Sequence, residues 1–266
     1  MITKEELEKY INKKISFKQV SVELNISYNT VLRYAKKYNL KSGIGTKGAQ
    51  KHTINENYFE MIDTEEKAYW LGFIAADGNI HSSVKNKPIN RLQINLKGND
   101  IGHLKAFNST LLSSYNVEEK QVNKYNVCQL KINSTKLCSD LQKLGITPRK
   151  SLNVEMPILP KELIKHFIRG YFDGDGNIKN FTDKNGRHRY NFNIVGGIDM
   201  LTAIKNNIPC ETLIYNLKRQ APIYSLETTK KDNLITIYNY LYKNANIYLN
   251  RKKDIFDNLM SRFTEM

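Results

Sequence analysis

Two apolar runs interrupt the mixed pattern of the chain, and each ends in the dipeptide Asp-Gly. They cover residues 69–76 and 167–172. Apolar residues on every face are typical of a helix that is buried all round. The glycines after the aspartates, Gly78 and Gly176, are expected to close the helices as left-handed C-terminal caps. The sequence therefore predicts two buried helices that stop at these aspartates.

The two runs are copies of one motif. The copies read Trp70-Leu-Gly-Phe-Ile-Ala-Ala-Asp-Gly78 and Ile168-Arg-Gly-Tyr-Phe-Asp-Gly-Asp-Gly176, each followed by Asn-Ile. Gly72 and Gly170 take the same place in both copies, and a glycine there lets two helices approach closely. Packed together, the helices would bring Asp77 and Asp175 together at negative helix ends, where the carboxylates repel each other. A bound divalent cation would remove that repulsion.

Two simpler explanations of the motif are disfavoured. A single Asp-Gly pair could be a turn after a buried helix, but two copies in the same order make that explanation weak. A calcium loop is suggested by Asp173, Asp175 and Asn177 at alternate positions. Such a loop needs a glycine where Ile178 stands and an acid where Lys184 stands.

Strict alternation of apolar and polar residues predicts strands after each motif, for example over residues 91–97 and 129–133. Each half reads helix, two strands, helix, two strands, helix, so we predict an α+β fold of two tandem αββαββα halves related by a pseudo-twofold axis. The polar faces carry amides and cations but few acids. A solvated sheet surface explains the alternation equally well, and it explains the scarcity of acids less well. The residues expected to contact DNA from these faces are Arg91, Gln93, Asn95, Lys97, Gln129, Lys131, Arg189, Asn191, Asn193, Lys218 and Arg219.

Residues 1–41 predict a small all-α module. Thr3 with Glu6, and Ser16 with Gln19, form capping boxes, and Ser27 can cap a third helix. The apolar positions expected to pack around the turn of a helix-turn-helix are Val20, Val22, Leu24, Ile26, Val31, Leu32 and Ala35. In such a motif the third helix would direct Tyr28, Asn29, Thr30 and Arg33 to base edges, and Lys36 and Lys37 to phosphates. The alternative is a three-helix structural cap or a partner-binding module.

Charge and composition favour a nucleic-acid partner. The 266 residues include 41 Lys and Arg against 26 Asp and Glu, which gives a net charge of +15. No apolar run reaches the length of a membrane span and no signal peptide is visible, so we expect a cytoplasmic protein without membrane contact. The three cysteines lack metal-ligand spacing and are expected to be reduced thiols.

Basic residues follow the two motifs at similar intervals, as Arg149-Lys150-Ser151 and Arg251-Lys252-Lys253. An ammonium group in that place could orient or acidify an attacking water and balance phosphate charge. Alone, such lysines are more often phosphate contacts or solvated side chains. The glycine-containing basic segment 42–56 is predicted to be a linker, which leaves 57–150 and 151–266 as the two halves.

With this pair of motifs, the chain resembles the LAGLIDADG homing endonucleases, a family named for the nine-residue motif. The resemblance implies that the two halves form a DNA-binding saddle and act as a monomeric endonuclease on a long, asymmetric double-stranded target. It implies Mg²⁺ or Mn²⁺ bound by Asp77 and Asp175, with the main-chain carbonyls of Ala76 and Gly174.

The resemblance also implies that Lys150 and Lys252 lie close to the active centre. The chain departs from the family pattern at one position. Ala75 stands where the family has its first aspartate, whereas Asp173 keeps it in the second copy. We expect Asp77 to be functional all the same, because the resemblance assigns metal binding to the second aspartate.

Two other functions stay open at this point. A LAGLIDADG-derived transcription regulator would keep the DNA-binding surface without cleavage, although retention of both aspartates disfavours it. An intron maturase would bind folded intron RNA through the same basic surface. An intein is disfavoured because the chain begins at Met1 and lacks a splice-junction nucleophile and a terminal Asn, so we expect a free-standing protein.

Overall fold

A computed structural model of the chain describes residues 2–12, 15, 17–40, 52–148, 154–217 and 222–265. The chain divides into two units, residues 1–52 and 53–266. Several positions named in the sequence analysis lie outside the described residues, namely Ser16, Arg149, Lys150, Ser151, Lys218 and Arg219. Most of the predicted linker lies outside them as well.

The first unit contains α1 (Lys4–Asn12), α2 (Phe17–Glu23) and α3 (Tyr28–Lys37). The predicted N-cap of α3 is confirmed, because the main-chain N–H of Thr30 donates a hydrogen bond of 3.1 Å to Ser27 Oγ. The main-chain N–H of Glu6 likewise donates to Thr3 Oγ1 at 3.2 Å. A small core, which includes Leu7, Phe17, Val20, Val31 and Ala35, joins the three helices.

Two residues expected in this core lie outside it. Val22 is 75% exposed and Leu32 is 38% exposed. An α-helix turns by about 100° per residue. Val22 therefore points roughly 200° away from the buried Val20, and Leu32 points about 100° away from the buried Val31. The prediction that they pack around the turn was wrong, because it counted apolar residues without their direction.

The second unit repeats one order of elements twice. Its first half comprises α4 (Glu65–Asp77), β1 (Gly78–His81), β2 (Arg91–Lys97), a 3₁₀ turn (Gly98–Asp100), α5 (Ile101–Thr110), β3 (Val117–Val122), β4 (Tyr125–Asn133) and α6 (Thr135–Lys143). Its second half comprises α7 (Lys161–Asp175), β5 (Gly176–Thr182), β6 (His188–Gly196), α8 (Ile198–Asn207), β7 (Leu213–Asn216), β8 (Tyr224–Thr228), α9 (Lys231–Tyr242) and α10 (Asn250–Glu265). The predicted α+β fold of tandem αββαββα halves is confirmed, with α10 as an additional helix.

Each half contains one antiparallel four-stranded sheet, in the order β1-β2-β4-β3 and β5-β6-β8-β7. The alternation predicted for β2 is present, since Leu92, Ile94 and Leu96 are buried while the residues between them reach solvent. Helices α5 and α6 contact the first sheet, and α8 and α10 contact the second. The apolar faces of both sheets and the motif helices share one hydrophobic core.

Helices α4 and α7 cross at the two motif glycines. A Cβ atom on Gly72 would lie 2.0 Å from the carbonyl oxygen of Phe167, and one on Gly170 would lie 1.9 Å from that of Tyr69. Both distances are far below van der Waals contact, so the backbones touch where the side chains are missing. The close approach is nearly symmetric, and it joins the two halves.

The glycines after the aspartates are not left-handed caps. Gly78 has φ −76° and ψ 148°, and Gly176 has φ −90° and ψ 167°, so both are extended. That part of the prediction was wrong, because each glycine is itself the first residue of a strand. A residue with a side chain would not fit there, since a Cβ atom on Gly176 would lie 2.1 Å from Phe172 Cδ2.

Cys128 and Cys138 are buried free thiols, and Cys210 is a half-buried one. Within the described ranges, the helices are too short or too polar to cross a bilayer.

Candidate functional site

Asp77 and Asp175 are the last residues of α4 and α7, and the ends of the two helices touch. A Cβ atom on Gly174 would lie 2.3 Å from the Cβ atom of Ala76 and 3.4 Å from Asp77 Oδ2. The carboxylate of Asp77 therefore lies against the last turn of the opposite helix. The four residues predicted to bind metal are thus brought to one place.

The two aspartates open onto different clefts. Asp77 lines a cleft of about 1100 Å³ together with Gly174, Asn177 and Lys252. Asp175 lines a smaller one of about 210 Å³, with Ala75, Ala76, Tyr171 and Val195 among its walls. Each aspartate therefore lines a cleft of its own.

Lys252 is 3% exposed and holds the end of α7. Its Nζ donates to the carbonyl oxygens of Phe172 at 2.7 Å, Gly174 at 3.2 Å and Gly176 at 2.6 Å. An ammonium group has three protons, and carbonyls in the last turn of a helix have no partner within the helix. Burial lowers the pKa of Lys252 to about 8, although the charges of Asp173, Asp77 and Asp175 oppose that shift. The structure thus places Lys252 beside the aspartates as a support for the main chain that carries Asp175.

The first sheet presents most of the predicted contact residues on the face opposite its apolar core. Gln93 pairs with Asn79 on one side and Lys131 on the other, so the three form one row across the sheet. The next row contains Asn95 and Gln129, which are hydrogen-bonded through their side chains. The structure places these predicted residues together on that face: Arg91, Gln93, Asn95, Lys97, Gln129 and Lys131.

The second sheet presents Arg189, Asn191 and Asn193 on the corresponding face. Asn193 pairs with Asn177 and with Glu227. The acid Glu227 was missed in the sequence analysis, because the segment around it has no long alternation that would predict a strand. The guanidinium group of Arg189 is partly engaged within the protein, since its Nε donates to Asp183 Oδ2 at 2.9 Å.

No protein-family model matches the chain. It is 27% identical over 223 residues to the replication factor C small subunit of Methanocaldococcus jannaschii, an alignment that covers 82% of this chain and 10% of that protein. The chain therefore spans about a tenth of the length of the curated relative it matches.

Solved structures share the architecture at low sequence identity. Meganuclease I-SmaMI bound to uncleavable DNA has a TM-score of 0.54 and 11% identity, over 77% of this chain and 91% of that one. LAGLIDADG meganuclease I-AabMI bound to uncleaved DNA has a TM-score of 0.51 and 13% identity, over 76% and 92%. LAGLIDADG homing endonuclease I-GzeII in complex with its DNA target has a TM-score of 0.51 and 14% identity, over 73% and 88%.

This chain has the LAGLIDADG fold. Its motif helices are α4 and α7, and its two sheets flank them. The position at which the motif departs from the family pattern lies in the core, because Ala75 is buried among apolar residues.

The aspartate at the same position of the second LAGLIDADG motif is fully engaged. Asp173 accepts hydrogen bonds from the Tyr69 hydroxyl at 2.7 Å, the Tyr242 hydroxyl at 2.9 Å and the main-chain N–H of Leu249 at 2.7 Å. Burial raises the pKa of Asp173, and its hydrogen bonds and the charge of Lys252 oppose the shift. Neither tyrosine was predicted, because nothing in their spacing along the chain indicates a shared partner.

A second buried polar group crosses between the halves of this LAGLIDADG fold. Arg169 donates to the carbonyl oxygens of Ile247 and Leu241, both at 2.8 Å, and to Glu65 Oε1 at 2.7 Å. Glu65 is the first residue of α4 and also accepts from the main-chain N–H of Asn246 at 2.9 Å. The sequence held one signal for this bridge, since Arg169 is a charged residue inside an apolar motif.

The N-terminal unit exposes one side of α3. Tyr28, Asn29, Arg33 and Lys36 reach solvent along this helix. Thr30 is half-buried, and its Oγ1 is hydrogen-bonded to Ser27 Oγ at 2.8 Å. Thr30 therefore stabilises the start of the helix, and the other four residues offer polar groups to a partner.

Proposed function

We propose that this chain is a homing endonuclease that hydrolyses both strands of a long, asymmetric duplex. One observation carries the proposal: two aspartates end paired, touching helices and open onto separate clefts. The fold that holds them is shared with meganucleases bound to DNA. One aspartate for each strand would suit a double-strand break made by a single chain.

The residues at the helix ends fit a divalent cation. Carboxylate and carbonyl oxygens are hard donors, and Mg²⁺ is usually held through one or two carboxylates together with substrate phosphates. Asp77 and Asp175 would bind the metal with the carbonyls of Ala76 and Gly174, and Mn²⁺ would suit the same oxygens. Within the part of the chain that the structure describes, no three His, Cys, Asp or Glu side chains form a cluster.

A bound cation would polarise the scissile phosphate and lower the pKa of the attacking water. The chain's own residues fix the position of the donors. Contact between Gly174 and Ala76 sets the separation of the helix ends, and Lys252 holds the last turn of α7. Its positive charge also offsets the negative end of the helix dipole and the charge of the aspartates.

DNA binding is proposed to use the polar faces of the two sheets. Arginine, lysine and amide side chains can reach base edges in the major groove, and the net charge of +15 favours the phosphate backbone. The exposed side of α3, with Asn29 and Arg33, would lengthen the target beyond the region that the sheets contact. We propose that a single chain is sufficient, because both motifs are present in it.

Cleavage of duplex DNA that spans the insertion point of the gene tests this proposal. The purified full chain would be incubated with that duplex in Mg²⁺ or in EDTA, beside the variants Asp77→Asn and Asp175→Asn. Metal-dependent double-strand cleavage is expected, with each variant reduced to nicking or inactive. Asp232→Asn is the matched control, because Asp232 is an exposed acid in the first turn of α9.

Two results would contradict the nuclease. Tight binding to duplex DNA without cleavage, unchanged by either substitution, would identify a transcription regulator. Stronger binding to the cognate intron RNA than to duplex DNA would identify a maturase.

A further inference from the structure

The two sheets pair their strands in the same register but carry different chemistry at equivalent positions. In the first sheet, Ile94 pairs with Gly78 and with Leu130. In the second sheet, Ile194 pairs with Gly176 and with Leu226. Since each glycine directly follows its motif aspartate, these pairs give a common origin from which the polar faces can be compared.

One row of each polar face lies one residue from that origin. In the first sheet, Gln93 and Lys131 are neighbours in this row. In the second sheet, Asn193 and Glu227 are neighbours at the same register. The amide is kept, while the lysine is replaced by a glutamate. Glu227 is also oriented within its strand, because Ser225 Oγ donates to its Oε1 at 2.6 Å.

The row on the other side of the origin changes from amides to an apolar group and a hydroxyl. Asn95 and Gln129 form this row in the first sheet, where Glu118 of β3 extends it and is ion-paired with Lys120 at 2.9 Å, and Val195 and Ser225 form it in the second. Tyr215 extends the second row as the partner of Ser225 on β7.

Strand β7 adds a further apolar side chain to this face. Leu213 is the partner of Glu227 on β7, and it is 59% exposed, while Tyr215 is 49% exposed. Ile214 between them packs against the core, so the two exposed side chains share the polar face of the sheet. Large apolar side chains on β7 thus flank one side of a carboxylate, whose other strand neighbour is Asn193, on a surface that is proposed to contact DNA.

The chemistry of base edges separates the two faces. In the major groove, lysine suits the O6 and N7 acceptors of guanine, and side-chain amides suit adenine. A carboxylate instead accepts from the N4 amine of cytosine, and apolar groups contact the C5-methyl group of thymine. Phosphates repel a nearby carboxylate. Glu227 is therefore favoured on a DNA-binding surface only where a hydrogen-bond donor on a base contacts it.

We infer that the second sheet reads pyrimidines: cytosine through Glu227, and thymine methyl groups through Val195, Leu213 and Tyr215. The first sheet reads purines at the equivalent positions through Lys131 and through the amides of Asn95 and Gln129. The inference rests on the proposed function, and it specifies how the two halves of the target differ.

Selection from a randomised duplex library tests the cytosine contact. The full chain would bind the library in EDTA, and the retained duplexes would be sequenced for wild type, Glu227→Lys and Lys131→Glu. Glu227→Lys is expected to change one position of one half-site from cytosine to guanine, by roughly tenfold in relative affinity, and to leave the other half-site unchanged. Lys131→Glu is the matched control, and it should make the reverse change in the other half-site.

Deoxyuridine tests the methyl contacts, because it differs from thymidine only by the C5-methyl group. Replacing the selected thymidines of the half-site affected by Glu227→Lys should weaken wild-type binding roughly threefold to tenfold. The variant Leu213→Ala should lose less affinity on that replacement. The same change in the other half-site should have little effect on either protein. Circular dichroism of each variant checks that the sheets are intact.

The possible failures are distinguishable. If the library yields a defined target but Glu227→Lys weakens all sequences equally, or deoxyuridine has no effect in its half-site, the inference is overturned while the nuclease proposal stands. If no sequence is enriched and no duplex is cleaved in Mg²⁺, the proposed function fails and the inference fails with it.

Discussion

The hydroxyl group of Tyr69 on α4 donates a hydrogen bond of 2.7 Å to the carboxylate of Asp173 on α7. Tyr69 has a single proton to donate, so its oxygen must accept from His103 Nε2, which lies 3.0 Å away. This requirement fixes the proton of a neutral His103 on Nε2. A chain of hydrogen bonds thus runs from His103 in the first half of the fold to Asp173, the first aspartate of the second motif.

Tyr69→Phe should destabilise the protein more than an ordinary tyrosine substitution does. It removes one of the donors to a buried carboxylate, which costs about 1–3 kcal/mol in the free energy of unfolding. Urea unfolding followed by circular dichroism measures this change. Tyr58→Phe is the control, because the Tyr58 hydroxyl bonds to Glu66 at 3.4 Å and that carboxylate is less buried. Equal losses for the two variants would contradict the special role of the Asp173 contact.

His103 should make stability fall at acid pH. Burial and the charge of Arg251 lower the pKa of His103 to about 4. The folded protein therefore binds this proton less tightly than the unfolded chain does. The contribution is complete above about pH 6.5 and is lost as pH falls towards 4, by about 3 kcal/mol in all. His103→Gln should flatten this part of the pH profile in urea unfolding. His166, whose pKa is also lowered to about 4, acts in both proteins and cancels in the difference.

The crossing glycines should tolerate no side chain. Gly72→Ala or Gly170→Ala places a Cβ atom about 2 Å from a main-chain carbonyl oxygen, so the helices must separate. We expect a loss of about 3 kcal/mol or more in thermal or urea unfolding. Gly102→Ala in α5 is the control, because a Cβ atom there meets nothing within 4 Å. It should stabilise the protein by about 0.5–1 kcal/mol, since alanine favours the helix.

Lys252→Met should lower the free energy of unfolding, because the main role of the Lys252 side chain is structural. It leaves the carbonyl groups of Gly174 and Gly176 without this donor, while that of Phe172 keeps the main-chain N–H of Gly176, and we expect a loss of about 2–4 kcal/mol in urea unfolding. Lys253→Met removes an ion pair with Asp257 and a cation–π contact with Tyr248 on a partly exposed surface, and it should cost about 1 kcal/mol. A stable, inactive Lys252→Met protein would show that the ammonium acts on the reaction instead.

Asp77→Asn should strengthen DNA binding when metal is absent. The substitution removes a negative charge from a place where a phosphate is proposed to lie. A unit charge at about 4 Å in water is worth roughly 1 kcal/mol, which corresponds to about fivefold in affinity. Fluorescence anisotropy with the selected duplex in EDTA measures the dissociation constant. Asp232→Asn should leave affinity unchanged, and a loss of affinity for Asp77→Asn would contradict this placement of the phosphate.

The sequence predicted the fold because the repeat and the alternation are local patterns. The strand over Arg91–Lys97 and the helix that ends at Asp77 follow directly from the order of apolar and polar residues. The cap at Gly78 was predicted wrongly, since Asp-Gly fits a left-handed cap and a helix-to-strand join equally well. Glycine is required at position 78 because a Cβ atom there would lie 2.7 Å from Ile74 Cγ2. The order of apolar and polar residues does not indicate this contact.

The sequence indicated the candidate site through residues inside the motif and through Lys252, which follows the second motif at an interval similar to that of Lys150 after the first. Asp77 and Asp175 stand at fixed places in a repeat, so their neighbourhood could be inferred from the pairing of two helices. The partners of Asp173 come from α4, from α9 and from the segment before α10, and Tyr242 lies 69 positions away along the chain. Such contacts depend on tertiary packing, and a single sequence holds no record of them. Glu227 was not predicted for a related reason. Its place beside Asn193 on the polar face depends on how β6 and β8 pair, and the sequence does not show that pairing.

Each motif helix passes into its strand without an intervening loop residue, Asp77 into Gly78 and Asp175 into Gly176. The position of each aspartate relative to its strand is therefore fixed. An inserted residue would turn every following side chain of the strand to the other face. If the chain cuts DNA as proposed, the fold fixes the stagger between the two breaks. Target preference can then drift one sheet residue at a time, and new recognition sequences can arise while the geometry of the cut stays the same.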